Sequence, residues 1–456
     1  MKARGILKML FVSALVIGAC GANGAGPDKT NQGPTAIHDD GSIAVRVGKS
    51  REVMHGVQPF LYVAGKGSML VQSQLSEKPV GNRRRINHYQ WQFGSRVSYD
   101  YGEHWKDFVV DADLDEPFLE GGGLHRPDGT TLLLDTYITP TANPDEGIGD
   151  LWISRDAFRT VEKPVPMRFH IPGVDFNATK DDGGREHHAL RLHRSLLELP
   201  NGDLMATAYG CFKGDSIPCS YQPSMKKLRS MLFRSSDGAK SWDYVSTIAV
   251  GDVGSEGFDE PVLCRLSRGS HAGRLICLMR TGRDLHQAVS DDDGKTWSAA
   301  KPVVFPGIDI HDVARWKKYL DTSKPHVQRY PVAEGGLVDP DLTQLENGIL
   351  ACAVGVRIPE KGCFGDPTCP RNGNYLAFSR DGGQTWSNVI QLTSGVMTTH
   401  YMAIREIRPN QLFVTYDLGI WGKPDNRIMG CTVEANPLSE SDRVRSSTMH
   451  PLKIAD

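Results

Sequence analysis

The sequence predicts an all-β chain folded as a six-bladed β-propeller, with seven blades as the alternative count. Three observations predict it. The eight-residue pattern S-x-D-x-G-x-T-W stands at Ser290–Trp297 and again at Ser379–Trp386, with relaxed copies at Ser98–Trp105, Ser235–Trp242 and Ser154–Thr160. Recurrence on this scale marks a repeat architecture. The clearest copies follow short strand-like runs, Tyr375–Phe378, His286–Val289 and Ser230–Phe233. Tight turns of the Asp-Gly or Asn-Gly kind, at Arg126–Gly129, Pro200–Gly202 and Glu346–Gly348, come a few tens of residues ahead of a copy. Such turns join neighbouring antiparallel strands.

The repeat has the chemistry of a closed hairpin turn. Its Asp can accept backbone N–H groups further along the turn, and its Gly supplies a positive φ. The Trp then folds back as an apolar plug. One blade therefore reads strand, tight turn, strand, loop, strand, repeat, strand. This places blades near residues 56–112, 117–165, 190–248, 258–303, 338–392 and 398–435, the last without a repeat and closed by Ser42–Val47 as its outer strand. A ring of this kind leaves few exposed sheet edges.

Residues 1–20 read as a leader. Lys2, Arg4 and Lys8 precede the apolar run Met9–Ile17, and Ile17-Gly-Ala-Cys20 has the order of a lipobox, making Cys20 the expected lipidation site. The apolar run is too short for a membrane span, so a lipid on Cys20 is the only membrane attachment expected. The expected location is the bacterial cell envelope, lipid-anchored at the outer membrane, periplasmic or secreted. Residues 21–41 are rich in Gly, Asn, Pro and Thr and read as a flexible tether, leaving 42–456 as one propeller domain. An insertion near 305–334 is longer than a blade connection requires, with one helix at Val313–Leu320; it reads as a lid or as packing.

A net charge of −2 carries no basic excess, which argues against nucleic acid as a partner. Setting Cys20 aside leaves eight of the nine cysteines, and Cys211/Cys219, Cys363/Cys369 and Cys264/Cys277 are placed to bridge in an oxidising compartment, with connectivity open. None has zinc-site spacing, and no metal or cofactor is expected.

Propeller connectivity sorts residues by face. The repeats and tight turns share one rim. Strand starts and the ends of second strands reach the other, and there His193, Arg194, Tyr209, Asp215, Arg229, Glu260, Arg280, Asp339, Arg357, Arg371 and Tyr401 gather. Several guanidinium groups at one cavity suit a carboxylate or sulfate.

The repeat resembles the Asp box of sialidases and other bacterial-neuraminidase-repeat propellers. Beyond the box, Glu260-Pro-Val-Leu followed by Leu275–Arg280 is similar to the family segment bearing its glutamate and second arginine. Arg371–Ser379 resembles the strand carrying its third arginine, and Thr399–Ile404 the segment carrying its tyrosine nucleophile, at Tyr401. The resemblance implies an exo-glycosidase on acidic glycans in which Glu260 activates Tyr401 while Arg280 and Arg371 bind substrate. Arg194 and Arg229, at the same rim of the third blade, are further candidate substrate-binding residues. This sequence departs from the family pattern in three places. The first blade reads Gly56-Val-Gln58-Pro59 where the family carries Arg-Ile-Pro, its acid/base Asp has no counterpart, and Met402 replaces a serine. The superfamily also includes ulvan-type polysaccharide lyases, a likeness of kind that implies uronate β-elimination with Tyr209 and His193 as base and acid. A glycan-binding propeller without turnover is the third reading.

Overall fold

The computed structural model describes residues 33–75, 93–108, 119–176, 180–181, 185–186, 189–220, 223–320, 323, 334–359, 368–420, 423–439 and 453–454. Among them the chain is all-β apart from one short α-helix, Val313–Trp316, and two 3-10 turns. The leader, Cys20 and most of the expected tether lie outside the described residues.

The strands form successive antiparallel meanders. The first runs Val57–Val63, Met69–Gln74, Phe93–Ser98 and Lys106–Asp107. The second uses Gly122–His125, Thr131–Leu134, Glu146–Ser154 and Val165–His170. The third is Leu190–Glu198, Leu204–Gly210, Arg229–Ser235 and Ser241–Ala249. The fourth is Asp259–Arg265, Leu275–Arg280, His286–Ser290 and Lys301–Pro302. The fifth is Gly336–Gln344, Leu350–Arg357, Gly373–Ser379 and Ser387–Gln391. The last is Met402–Arg408, Gln411–Leu418 and Arg427–Pro437, whose outer edge is taken by Ile43–Val47 from the start of the chain. Each meander's first strand packs against the next, and Met402–Arg408 packs back on Val57–Val63, so the inner strands close a ring. The fold is propeller-like.

Three local features depart from the simple plan. The second and third meanders merge into one nine-stranded sheet, because Tyr137–Pro140 pairs with strands of both and Val165–His170 runs parallel to Ser241–Ala249. Thr35–His38, expected in the tether, is a strand on the outer edge of the fifth meander, Thr35 opposite Gln391. The described part of the 305–334 insertion is packing: Phe305, Ile310 and Trp316 are buried in the core between the fourth and fifth meanders.

The repeats fold as their residue types dictate. In the fourth meander Ser290 Oγ accepts the Gly294 N–H (2.9 Å), and Asp292 accepts both the N–H (2.9 Å) and the hydroxyl (2.7 Å) of Thr296. The worn copy at 154–160 keeps the same bonds, Phe158 N–H to Ser154 Oγ at 2.9 Å and Thr160 N–H to Asp156 at 2.9 Å. There Phe158 takes the glycine's left-handed conformation at φ +65° and serves as the buried plug itself. The Trp of three copies donates Nε1 to the carbonyl three residues back, at 3.0 Å for Trp105 and 3.1 Å for Trp242 and Trp297.

The cysteines are a correction. Cys211, Cys264, Cys277, Cys352 and Cys431 are buried free thiols, Cys219 and Cys369 are buried, and Cys363 lies outside the described residues. Cys264 stands opposite Ile276, with Cys277 opposite Leu263, so side-chain alternation sends the two thiols into different cores. These thiols are core packing.

Candidate active site

Five inner strands carry one residue with positive φ, Gln58 (+53°), Gly122 (+122°), Arg194 (+46°), Glu260 (+40°) and Asp339 (+48°), and His400 (+71°) stands two residues ahead of the sixth. At Gln58, Arg194, Glu260 and Asp339 this coincides with a register shift, the mark of a β-bulge. Non-glycine residues hold such conformations where the surroundings fix them, often at functional sites. At Gly122 the reason for glycine is crowding, since a Cβ would stand 2.8 Å from backbone atoms of Ser195 on the next inner strand.

The bulged side chains tie the ring together. Glu260 Oε2 accepts the Asp339 N–H (2.9 Å), and Asp339 Oδ2 accepts the Met402 N–H (2.9 Å). Asp341 accepts from Ile404 N–H (2.8 Å), Ser195 from Leu263 N–H (2.8 Å), and Asp417 from Gln58 N–H (2.8 Å). Every one of these bonds joins neighbouring meanders.

Tyr401 and Glu260 meet across this framework. The Tyr401 hydroxyl donates to Glu260 Oε1 in a short hydrogen bond, and Arg280 Nη1 donates to the same oxygen at 2.7 Å. Burial works to raise the Glu260 carboxyl, but Arg280, then His193 and the Tyr401 hydroxyl, outweigh it and hold it down at about 2. Burial and the Glu260 charge push Tyr401 well above the usual phenol range. The pair is thus a carboxylate accepting from a neutral phenol, the state in which the carboxylate can draw off the phenol's proton. Arg357 flanks it, its guanidinium 6.0 Å from the Tyr401 ring and donating to the Thr399 carbonyl at 2.8 Å.

His193 and Tyr209 lie beside one another, ring centroids 6.1 Å apart, with Arg191 against Tyr209 and paired to Glu120. His193 is fully buried, its Nδ1 is 3.1 Å from the Pro261 carbonyl, and burial pulls its pKa down to about 4. Tyr209 is 3% exposed against 8% for Tyr401.

The four predicted substrate arginines separate. Arg280 is in the cluster. Arg194 grips Asp339 with two bonds, 3.0 and 2.7 Å, across the ring, and its guanidinium is enclosed. Arg229 is paired with Asp215 and donates to Thr247 Oγ1 at 2.8 Å, within its own meander. Arg371 precedes the third strand of the fifth meander, its carbonyl accepting the Tyr375 hydroxyl at 2.7 Å, and carries no ion pair among the described residues. Glu120, Glu256 and Asp259 belong to the centre and were not singled out from sequence. A signal for the inner strands did exist, because Gln58-Pro59, Glu260-Pro261 and Asp339-Pro340 repeat the same residue-then-proline step at three bulges. Among the described residues no group of three or more His, Cys, Asp or Glu side chains is arranged to hold a metal ion.

Comparison with known proteins agrees with the repeat. Residues 178–404 match the BNR repeat-like domain family. No curated protein matches the sequence significantly. A Dyadobacter fermentans protein of unknown function superposes with a TM-score of 0.56 at 16% identity, covering 89% of this chain and all of that one (100%). A Penicillium chrysogenum α-L-arabinanase solved with arabinobiose gives 0.48 at 13% identity, over 89% of this chain and 98% of that one. An ulvan lyase gives 0.41 at 10% identity, over 85% and 82%. The first of these shares the fold. The enzymes among these neighbours act on carbohydrates.

Proposed function

We propose that this BNR repeat-like, sialidase-like propeller is a six-bladed glycoside hydrolase of the cell envelope, cleaving acidic glycans with Tyr401 as nucleophile. The observation that carries it is the short hydrogen bond from Tyr401 to Glu260, with Arg280 on the same carboxylate. Glu260 takes the phenolic proton as the tyrosine oxygen attacks the anomeric carbon. Arg194, Arg229 and Arg280 are bound to Asp339, Asp215 and the Glu260–Glu256 pair, so the substrate carboxylate is assigned to Arg371. Anchoring through Cys20 belongs to the same proposal.

The lyase reading keeps one support, the contiguity of His193, Tyr209 and Arg191. Protein lacking residues 1–20 is offered an aryl sialoside and, separately, uronate-bearing polysaccharides. Sialic acid release that drops at least about a thousandfold in Tyr401→Phe supports the hydrolase. Release untouched by that change removes Tyr401 as nucleophile. Ultraviolet absorbance from an unsaturated uronate, lost in Tyr209→Phe, would instead establish elimination, and binding without turnover would leave a glycan-binding propeller.

A further inference from the structure

A hydrolase of this kind needs a group that hands a proton to the leaving oxygen, and the Tyr401–Glu260 pair does not supply it. We propose that the Glu256–Asp259 carboxyl pair, joined to Glu260 through Arg280, is that proton donor; the proposal rests on the hydrolase reading above.

The bulge at Glu260 makes the arrangement. In a regular strand consecutive side chains point to opposite faces. Here φ of +40° at Glu260 and the register shift between Asp259 and Val262 bring two consecutive carboxyls to one guanidinium. Asp259 stands opposite Arg280 in register. Arg280 holds Glu260 with Nη1 at 2.7 Å and Glu256 with Nη2 at 3.1 Å. Glu256, Asp259 and Glu260 thus gather three carboxyl groups about one guanidinium. One cation cannot balance three carboxylates, and like charges at such range hold a proton on one of them. Asp259 is 6% exposed, yet its Oδ1 is a buried oxygen with no hydrogen-bond partner among the described residues. Buried acceptors are almost always satisfied, so an orphan beside a reactive pair marks a place for an incoming group.

The titration of the two pairs supports the division of labour. Burial, and then the Glu256 charge, push Asp259 well above the usual carboxylate range, while Arg280 keeps Glu260 far below it. Environments that separate the pKa values of neighbouring carboxyls are how one site runs acid and base steps together.

The step balances. As the Tyr401 oxygen bonds to the anomeric carbon, its proton passes to Glu260. The bond from that carbon to the leaving oxygen breaks, and the leaving oxygen takes the proton of the Glu256–Asp259 pair. In the second half, water bonds to the anomeric carbon and returns a proton to the pair. The bond to Tyr401 breaks, and the tyrosine recovers its proton from Glu260. One water is consumed.

The test compares a nitrophenyl sialoside, whose leaving group departs without protonation, with sialyllactose, whose leaving group does not. Asp259→Asn is expected to lose about 10²–10⁴-fold on sialyllactose and no more than about tenfold on the nitrophenyl substrate, and its alkaline limb on sialyllactose should shift. Glu260→Gln and Tyr401→Phe should lose heavily on both. Equal losses for Asp259→Asn on the two substrates, or none on either, overturn the donor role while leaving the hydrolase standing. Infrared difference spectra of wild type minus Asp259→Asn should contain a protonated-carboxyl band at neutral pH, and its absence also overturns the donor role. Wild-type protein inert on both sialosides overturns the hydrolase reading, and the donor role with it.

Discussion

Gly122 tests the close approach of the inner strands, because the molecule contains its own control. In Gly122→Ala the added Cβ meets Ser195 C and N at 2.8 Å and Leu196 N at 3.0 Å, all backbone, at φ +122°. Gly129 sits at φ +89° in an exposed turn, where an added methyl would find nothing within 4 Å. Both substitutions place an L-residue in a region it avoids, which costs about 1–3 kcal/mol. Only the first also forces two strands apart, an overpacking term of about 1–3 kcal/mol. Gly122→Ala is therefore expected to cost about 2–6 kcal/mol and Gly129→Ala about 1–3 kcal/mol. Urea unfolding followed by tryptophan fluorescence gives both values, with equal m-values as the check that the denatured state is unchanged. Equal destabilisation of the two, within about 0.5 kcal/mol, would refute the account of the ring's spacing.

Two further outcomes follow from the centre. Burial pushes the Asp339 carboxyl up to about 8, so Arg194→Ala leaves it protonated and without its main partner and should destabilise by about 1–3 kcal/mol, read by the same urea titration; a fold left intact with only KM raised would return Arg194 to the substrate. With Glu260 as the base of the proposed hydrolase, activity should persist well below pH 4.5, because Glu260 stays ionised down to about 2. By the same sign, a carboxyl depressed on folding stabilises fully above its unfolded value, and that contribution is lost as pH falls through about 2. In Arg280→Gln burial is left to raise Glu260, so the acid limb of kcat/KM should move up by a pH unit or more, and an unmoved limb would remove Glu260 as the base.

Local chemistry was the legible part. An Asp box closes on itself within seven residues, so its bonds can be read from Ser290, Asp292, Gly294 and Thr296 alone. Because the boxes also set strand register, Tyr401, Glu260 and Arg280 could be assigned to one rim from sequence. Their partners could not. Arg194 lies in the third meander and its carboxylate, Asp339, in the fifth, 145 residues on. Residue type identifies a cation at the rim and says nothing of whether an acid already waits for it. Glu256 and Asp259 were missed for the converse reason: among 54 acidic residues, an acid acquires meaning only from the guanidinium it meets. The thiols follow the same logic, since spacing places Cys264 and Cys277 on paired strands while a one-residue register offset points them apart.

The bulges at the axis also bear on how such a ring can change its chemistry. A regular inner strand lends the centre alternate residues, whereas a bulged one lends two in succession, as with Asp259 and Glu260. At two of the bulges the backbone N–H is satisfied by a neighbour's side chain, as Glu260 takes that of Asp339 and Asp417 that of Gln58. Gln58, Arg194, Glu260, Asp339 and His400 already place an amide, a guanidinium, two carboxylates and an imidazole in one conformation. The position behaves as a socket. A library confined to these residues would exchange reactive groups while the meanders that hold them, and the boxes that pin the meanders, keep their own contacts.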